Sequence, residues 1–309
     1  MRCTVLVLFG LWSCQASVPS SSDSTDSTDR TDSTDSTDST DSTDSTDSTD
    51  STDSTDDTDV EPLGSPGCDS DSPLSEGEHR LRLDDRDRRY MVRLPRNYSA
   101  ERAWPLVFAL HGNGGSISYW DEGSGGRDVR GAFADDAVLV IAEAIDGRWR
   151  DYDAERDTWP ARIEAELRYF DRVKQEVGDG LCIDESQISS MGFSGGGSFS
   201  GVLGCRRDYV GRIAVGGSVN YFEPEECLYS PAAWVTIGQG ELVPAREAFR
   251  DGFRDRAGCS SSSTPTTPDG CVAYNDCDDG ASVVYCTHDG GHVWPGFGAT
   301  AARDFLLAE

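Results

Sequence analysis

The chain has 309 residues and a formal net charge of −29, but residues 21–60, a nearly pure Ser-Thr-Asp triplet array, carry close to half of that charge. A segment with one sign of charge and almost no apolar side chains buries too little surface to offset its ordering entropy, so it is expected to be disordered. The acidic balance argues against nucleic acid as a partner, and the remaining residues, roughly 240 from Cys68 onward, suffice for one large-cored domain.

At the N-terminus Arg2 precedes an apolar run, Val5 to Trp12, followed by small residues. The run is too short to span a bilayer and reads as the core of a signal peptide over residues 1–16. Two cleavage readings stand side by side. Leu11-Trp12-Ser13-Cys14 resembles a bacterial lipoprotein box, in which Cys14 becomes the lipidated N-terminus and attaches the protein to a membrane. A cut after Ala16 releases a free protein instead. Either way the chain is exported, to the cell surface or beyond it. Residues 17–67 then form a disordered linker, and 68–309 the folded domain.

Cysteine usage agrees with export. Apart from Cys3 and Cys14 there are eight: Cys68, Cys182, Cys205, Cys227, Cys259, Cys271, Cys277 and Cys286. An even set in an exported domain reads as four disulfides, with connectivity left open. There is no paired C-x-x-C, so no metal site is expected. Four of the eight crowd into 259–286, which suggests a stapled, loop-rich stretch.

Within the domain, His79–Leu83 and Arg89–Leu94 alternate polar and apolar residues around Asp84-Asp85-Arg86-Asp87, as a hairpin does. Pro105–Leu110 is continuously apolar, the mark of a strand buried on both faces. It runs into the glycine-rich turn His111-Gly112-Asn113-Gly114-Gly115-Ser116. Ala137–Ala142 is a second buried strand. Ile163, Leu167, Phe170, Val173 and Val177 fall at helical spacing, ending at Gly178. Gln187–Phe193 reads as a short strand, Gly196–Cys205 as a small-residue helix, Arg212–Val215 and Ala233–Ile237 as strands, and Thr300–Leu307 as a closing helix. Strands alternating with helices predict an α/β domain with a mostly parallel sheet covered on both faces, antiparallel only at the opening hairpin.

Gly192-Phe193-Ser194-Gly195-Gly196 matches G-x-S-x-G at a predicted strand-to-helix junction, where a nucleophile elbow sits. A plain glycine turn carrying an inert serine is the bland alternative. A serine needs a base, and the chain order Ser, acid, His places it near the C-terminus. His288 continues the alternation of Ser282–Thr287 and reads as a strand-end residue. His292 follows Gly290-Gly291 on a loop that can reach the serine, and is the expected base. The acid should end a strand between them, and Glu241, in the turn after Trp234–Ile237, is the carboxylate there. The backbone N–H groups of Gly195 and Asn113 are the expected oxyanion donors, which makes His111 structural. Trp294 and Trp120 are candidate substrate-stacking residues, although tryptophans as often pack a core.

Together these pieces resemble the family of extracellular poly(3-hydroxybutyrate) depolymerases and feruloyl and acetylxylan esterases. The resemblance rests on Arg89-Tyr90-Met91-Val92-Arg93-Leu94-Pro95 with Asn97-Tyr98, on Leu110-His111-Gly112, on Cys182-Ile183-Asp184 ahead of the serine motif, and on Gly290-Gly291-His292-Val293-Trp294-Pro295-Gly296. It implies the α/β-hydrolase fold, a serine esterase with a Ser-Asp-His triad, no metal or organic cofactor, and an ester substrate, possibly polymeric. A monomer is expected. Ser194 and His292 fall on matching positions. The acid turn departs from the pattern: the family shows His-Gly-Thr-x-Asp two residues before Val-Pro, whereas Glu241 stands one residue before Val243-Pro244. That departure motivates an alternative expectation, a surface binding protein on a catalytically impaired esterase scaffold.

Overall fold

The computed structural model of the chain describes residues 64–151, 155 and 159–308. The expected signal peptide, Cys14 and the linker as far as residue 63 lie outside the described residues. Packed structure is already present at Gly64, four residues ahead of the expected boundary at Cys68. Gly64 bridges Asp184, and the buried hydroxyl of Ser65 accepts from the Ile183 N–H at 2.9 Å while donating to the Leu181 carbonyl at 2.7 Å. A Cys68–Cys182 disulfide, closing a span of 114 residues, fastens the same segment.

The opening hairpin pairs β1 (Gly77–Leu83) with β2 (Arg86–Arg93), Leu83 opposite Arg86. The turn is therefore two residues, not the four that the sequence suggested. Asp84 and Asp85 have φ of 49° and 59°, and aspartate is among the few side chains that tolerate the left-handed pair a tight hairpin needs. β2 starts earlier than its apolar pattern because its first inward residue is charged: buried Arg88 meets buried Glu166 at 2.6 Å.

Eight further strands complete one sheet: β3 (Trp104–Leu110), β4 (Val138–Ala142), β5 (Ile183–Phe193), β6 (Arg212–Gly216), β7 (Ala232–Gly238), β8 (Ser263–Thr266), β9 (Cys271–Tyr274) and β10 (Val283–His288). Their order is β1-β2-β4-β3-β5-β6-β7-β10-β9-β8. From β4 through β10 neighbours run parallel. The expectation of antiparallel pairing only at the hairpin is corrected at the far edge, where β9 and β8 both pair antiparallel. This edge is built from the cysteine-rich stretch, which is stapled and loop-rich as expected but also carries three short strands, β8, β9 and the start of β10. Cys271 and Cys286 face each other in register and are bonded, and Cys259–Cys277 closes the ends. Cysteine and its polar neighbours mask the strand signal there. With Cys205–Cys227, all eight expected cysteines are paired.

Helices cover both faces. The periodic residues Ile163, Leu167, Phe170, Val173 and Val177 of α3 (Trp159–Gly180) are all buried, each such side chain contributing about 1.5–3 kcal/mol relative to exposure. They share one core with Phe199 and Phe249, from helices named below. The opposite core holds Val129 and Phe133 of α2 (Val129–Phe133), with Ala302 and Leu306 of α6 (Gly298–Leu306). A short α1 (Ser118–Asp121) precedes α2. α4 (Gly195–Arg206) and α5 (Pro244–Arg256) flank the carboxyl ends of β5 and β7. No helix among the described residues is long and apolar enough to cross a membrane.

Candidate active site

Ser194 joins β5 to α4 with φ 57° and ψ −123°, a conformation that costs a non-glycine residue of order 1–3 kcal/mol. Its surroundings hold it there. The Ser194 N–H donates to the Gly216 carbonyl at the end of β6, 2.7 Å away. The motif glycines are required by close approach: a Cβ on Gly192 would lie 2.5 Å from the Gly196 carbonyl carbon, and one on Gly196 2.2 Å from the Leu110 carbonyl oxygen. The turn so formed raises the hydroxyl above the sheet at the N-terminus of α4, where unpaired N–H groups favour developing negative charge.

Two more strand ends bring the partners. β7 runs into a single 3-10 turn, Gln239–Glu241, that buries Glu241. β10 ends at His288, and the following loop carries His292. The loops are tied to each other, the Gly240 N–H donating to the Gly290 carbonyl at 3.0 Å. His292 Nε2 lies 2.8 Å from Ser194 Oγ, and Nδ1 contacts Glu241 Oε2. With Nδ1–H donating to the carboxylate, Nε2 is left to accept the serine proton, the arrangement a general base requires. Gly217, with φ 60°, makes room for it: a Cβ there would sit 2.8 Å from the imidazole.

The glycine turn after β3 lies against the elbow. A Cβ on Gly112 would stand 3.4 Å from that of Ser194, and one on Gly195 would overlap the Asn113 side-chain amide at 2.1 Å. The turn is braced by the Gly114 N–H on the Gly147 carbonyl and the Gly115 N–H on the Gly112 carbonyl. Gly195, Asn113 and Ser194, expected to share one site, are brought together.

His111 is fully buried beneath this turn. Its Nδ1 donates to the Gly112 carbonyl at 2.7 Å and its Nε2 accepts from the Ala144 N–H at 3.2 Å, a neutral tautomer fixed at both nitrogens. Burial pushes its pKa down, against the opposing pull of the Gly112 carbonyl and Glu143. Because the folded value lies below the unfolded one, near 6.5, the stability His111 contributes is complete above about pH 6.5. It is lost as pH falls, by up to about 1.4 kcal/mol per pH unit until the folded value is reached. Urea midpoints measured from pH 7 to pH 5 should therefore drop more steeply for the wild type than for His111→Gln. Parallel slopes would refute the assignment.

Trp120 and Trp294 require a correction. Both are buried, their rings edge to face at 5.2 Å within the α2–α6 core, so neither presents a face to a ligand. Trp294 is the anchor of the His292 loop: it packs on the backbone of Gly216, at the end of β6, and near Phe193. Its position beside the base in the sequence reflects that anchoring. A partly exposed aromatic residue, Tyr119, lies parallel to Phe193 at 6.2 Å, with Phe193 in turn 4.7 Å from the imidazole. Burial raises the Tyr119 phenol to about 12, so it stays neutral. Val293, Leu242 and Val243, close to His292 and Glu241 in the chain, are exposed.

His288 ends β10, as the sequence suggested. Its Nδ1 accepts from the Gly290 N–H at 3.2 Å, and burial lowers its pKa against the pull of Glu241 and Asp289. It braces the loop and does not touch Ser194. Two residues at the site were not foreseen. Gly217 had a signal, the Gly216-Gly217 pair closing a buried strand. Arg246, whose Nη2 lies 2.8 Å from Glu241 Oε2, had none. Among the described residues no group of three or more His, Cys, Asp or Glu side chains is placed to hold a metal ion.

No protein-family model matches the chain. It is 28% identical to feruloyl esterase D of Neurospora crassa over 252 residues, covering 74% of this chain and 82% of that one. It is 30% identical to the probable feruloyl esterase C of Aspergillus oryzae over 153 residues, 48% of this chain and about half, 51%, of the relative. In three dimensions it is similar to a ferulic acid esterase from Anaeromyces mucronatus, solved in complex with ferulic acid, with a TM-score of 0.54 at 11% identity over 75% of this chain and 90% of that one. The fold is that of the α/β-hydrolases, as the sequence resemblance implied, and the curated relatives are feruloyl esterases.

Proposed function

We propose that this relative of the feruloyl esterases, a serine carboxylic-ester hydrolase, cleaves aromatic acyl esters carried on plant polysaccharide through Ser194, His292 and Glu241. The observation that carries the reading is the continuous hydrogen-bonded line from Ser194 Oγ through His292 to Glu241, in a chain whose relatives bear that name. His292 Nε2 takes the serine proton as Oγ attacks the ester carbonyl. The N–H groups of Gly195 and Asn113 receive the oxyanion of the tetrahedral intermediate. The imidazolium, stabilised by the Glu241 carboxylate, protonates the departing alcohol. Water then enters and gives a proton to His292 as it attacks the acyl carbon; the imidazolium returns that proton to Ser194 Oγ as the Oγ–C bond breaks and the acid leaves.

Tyr119, partly exposed and stacked on Phe193 beside the imidazole, suits an acyl group larger than acetate. The assembled line supports hydrolysis over binding alone. Four disulfides support export, by either of the two N-terminal routes. The test is hydrolysis of methyl ferulate, p-nitrophenyl acetate, p-nitrophenyl butyrate and a hydroxybutyrate oligomer by the purified, oxidised protein. Methyl ferulate is expected to be turned over with the highest kcat/KM. Turnover of the acetyl, butyryl or hydroxybutyryl esters alone would remove the aromatic substrate, and no turnover of any would remove the hydrolase.

A further inference from the structure

The acid is gripped by a cation that neither the serine motif nor the family resemblance contains. Arg246 stands in the first turn of α5, and its Nη2 lies 2.8 Å from Glu241 Oε2 and 3.0 Å from His292 Nδ1. Oε2 is the oxygen that receives the imidazole, so ring and guanidinium share a single acceptor. With Nδ1 carrying its proton, the approach of Nη2 brings two donors together. That is tolerable because both are directed at one anionic oxygen.

The departure of the acid turn from the family pattern gives this contact its meaning. Glutamate has one more side-chain torsion than aspartate, and its carboxylate sweeps correspondingly more positions. The turn itself restrains it weakly: Oε1 is 3.5 Å from the Gly238 N–H. Arg246 approaches from a helix, on a side chain only 19% exposed against a carboxylate 7% exposed, so solvent screens the pair little.

We propose that Arg246 is a positioning residue, clamping Glu241 Oε2 where it meets His292 Nδ1 and so letting the longer acid serve in an aspartate's place. The inference rests on the Ser194–His292–Glu241 reading above. A clamp acts only through the group it holds, and this separates it from a residue that merely supports the fold or touches substrate.

The experiment is steady-state hydrolysis of p-nitrophenyl butyrate by the full-length, oxidised protein as wild type, Arg246→Met, Arg246→Lys, Glu241→Ala and the Arg246→Met/Glu241→Ala double variant, with thermal melts alongside. Arg246→Met should lower kcat about tenfold while KM stays within about twofold. In the Glu241→Ala background the same change should alter kcat by less than about twofold, because no carboxylate remains to be placed. Arg246→Lys, which keeps a donor and a charge, should recover to within about threefold of wild type. Arg246→Gln carries the same comparison if the methionine variant does not fold. An unchanged kcat, a KM effect alone, or equal losses in both backgrounds would overturn the clamp. If Ser194→Ala keeps full turnover the triad reading fails first; if that variant is inactive and Arg246→Met behaves as wild type, only the clamp fails.

Discussion

Ser194→Ala is expected to lower kcat by about 10⁶-fold, with melting temperature and circular dichroism unchanged. His292→Ala should do nearly the same, and the double variant no worse than either. On the proposed mechanism the three side chains act as one unit: without the hydroxyl no acyl-enzyme forms, and without the imidazole the hydroxyl keeps its proton. The fold should be indifferent to the serine change. Ser194 is held through its backbone N–H on Gly216, and removing Oγ leaves that bond in place. Losses of the two single variants that multiply in the double variant would mean that the serine and histidine work separately.

The second large effect is at Glu241. Glu241→Ala should cost about 10³–10⁴-fold in kcat, less than loss of the serine, because the base survives with its tautomer and orientation unsupported. Glu241→Gln should fare no better, since an amide can offer its own hydrogen to Nδ1 and favours the wrong tautomer. Glu241→Asp is the informative variant. From the 3-10 turn Gln239–Glu241 it is the glutamate Oε2 that meets His292 Nδ1, so a side chain one methylene shorter should fall between wild type and alanine. Activity of Glu241→Ala within about tenfold of wild type would show that another group holds the ring.

The distribution of what could be read from the sequence follows physical causes. Strands buried on both faces, such as Pro105–Leu110 and Ala137–Ala142, were legible because a continuous apolar run has few alternative explanations. The elbow was legible because close backbone approach at Gly192 and Gly196 admits no side chain. His292 could be chosen over His288 because alternation placed His288 in a strand. The two-residue hairpin turn was missed because Arg86 and Asp87 look like turn residues and Arg88 conceals a core position, its charge matched by Glu166, 78 residues away. The strands at the β8–β9 edge were hidden by the cysteines that staple them.

The tryptophans were misread for a different reason. Trp120 and Trp294 stand next to site loops in sequence, but adjacency along the chain does not give the side a ring faces, and both face inward. Arg246 is the opposite case: a residue of no predicted motif, in the first turn of α5, whose side chain the fold turns onto the acid.

The most direct measurement of the central claim is covalent labelling by a fluorophosphonate, followed by mass spectrometry of the digested protein. A serine activated by a neighbouring base forms one stable adduct, whereas ordinary hydroxyls do not react. One adduct per chain on Ser194, abolished in His292→Ala, is the predicted result. An adduct on another residue, or labelling of Ser194 that is indifferent to His292, would contradict the assignment of Ser194 as a nucleophile activated by His292.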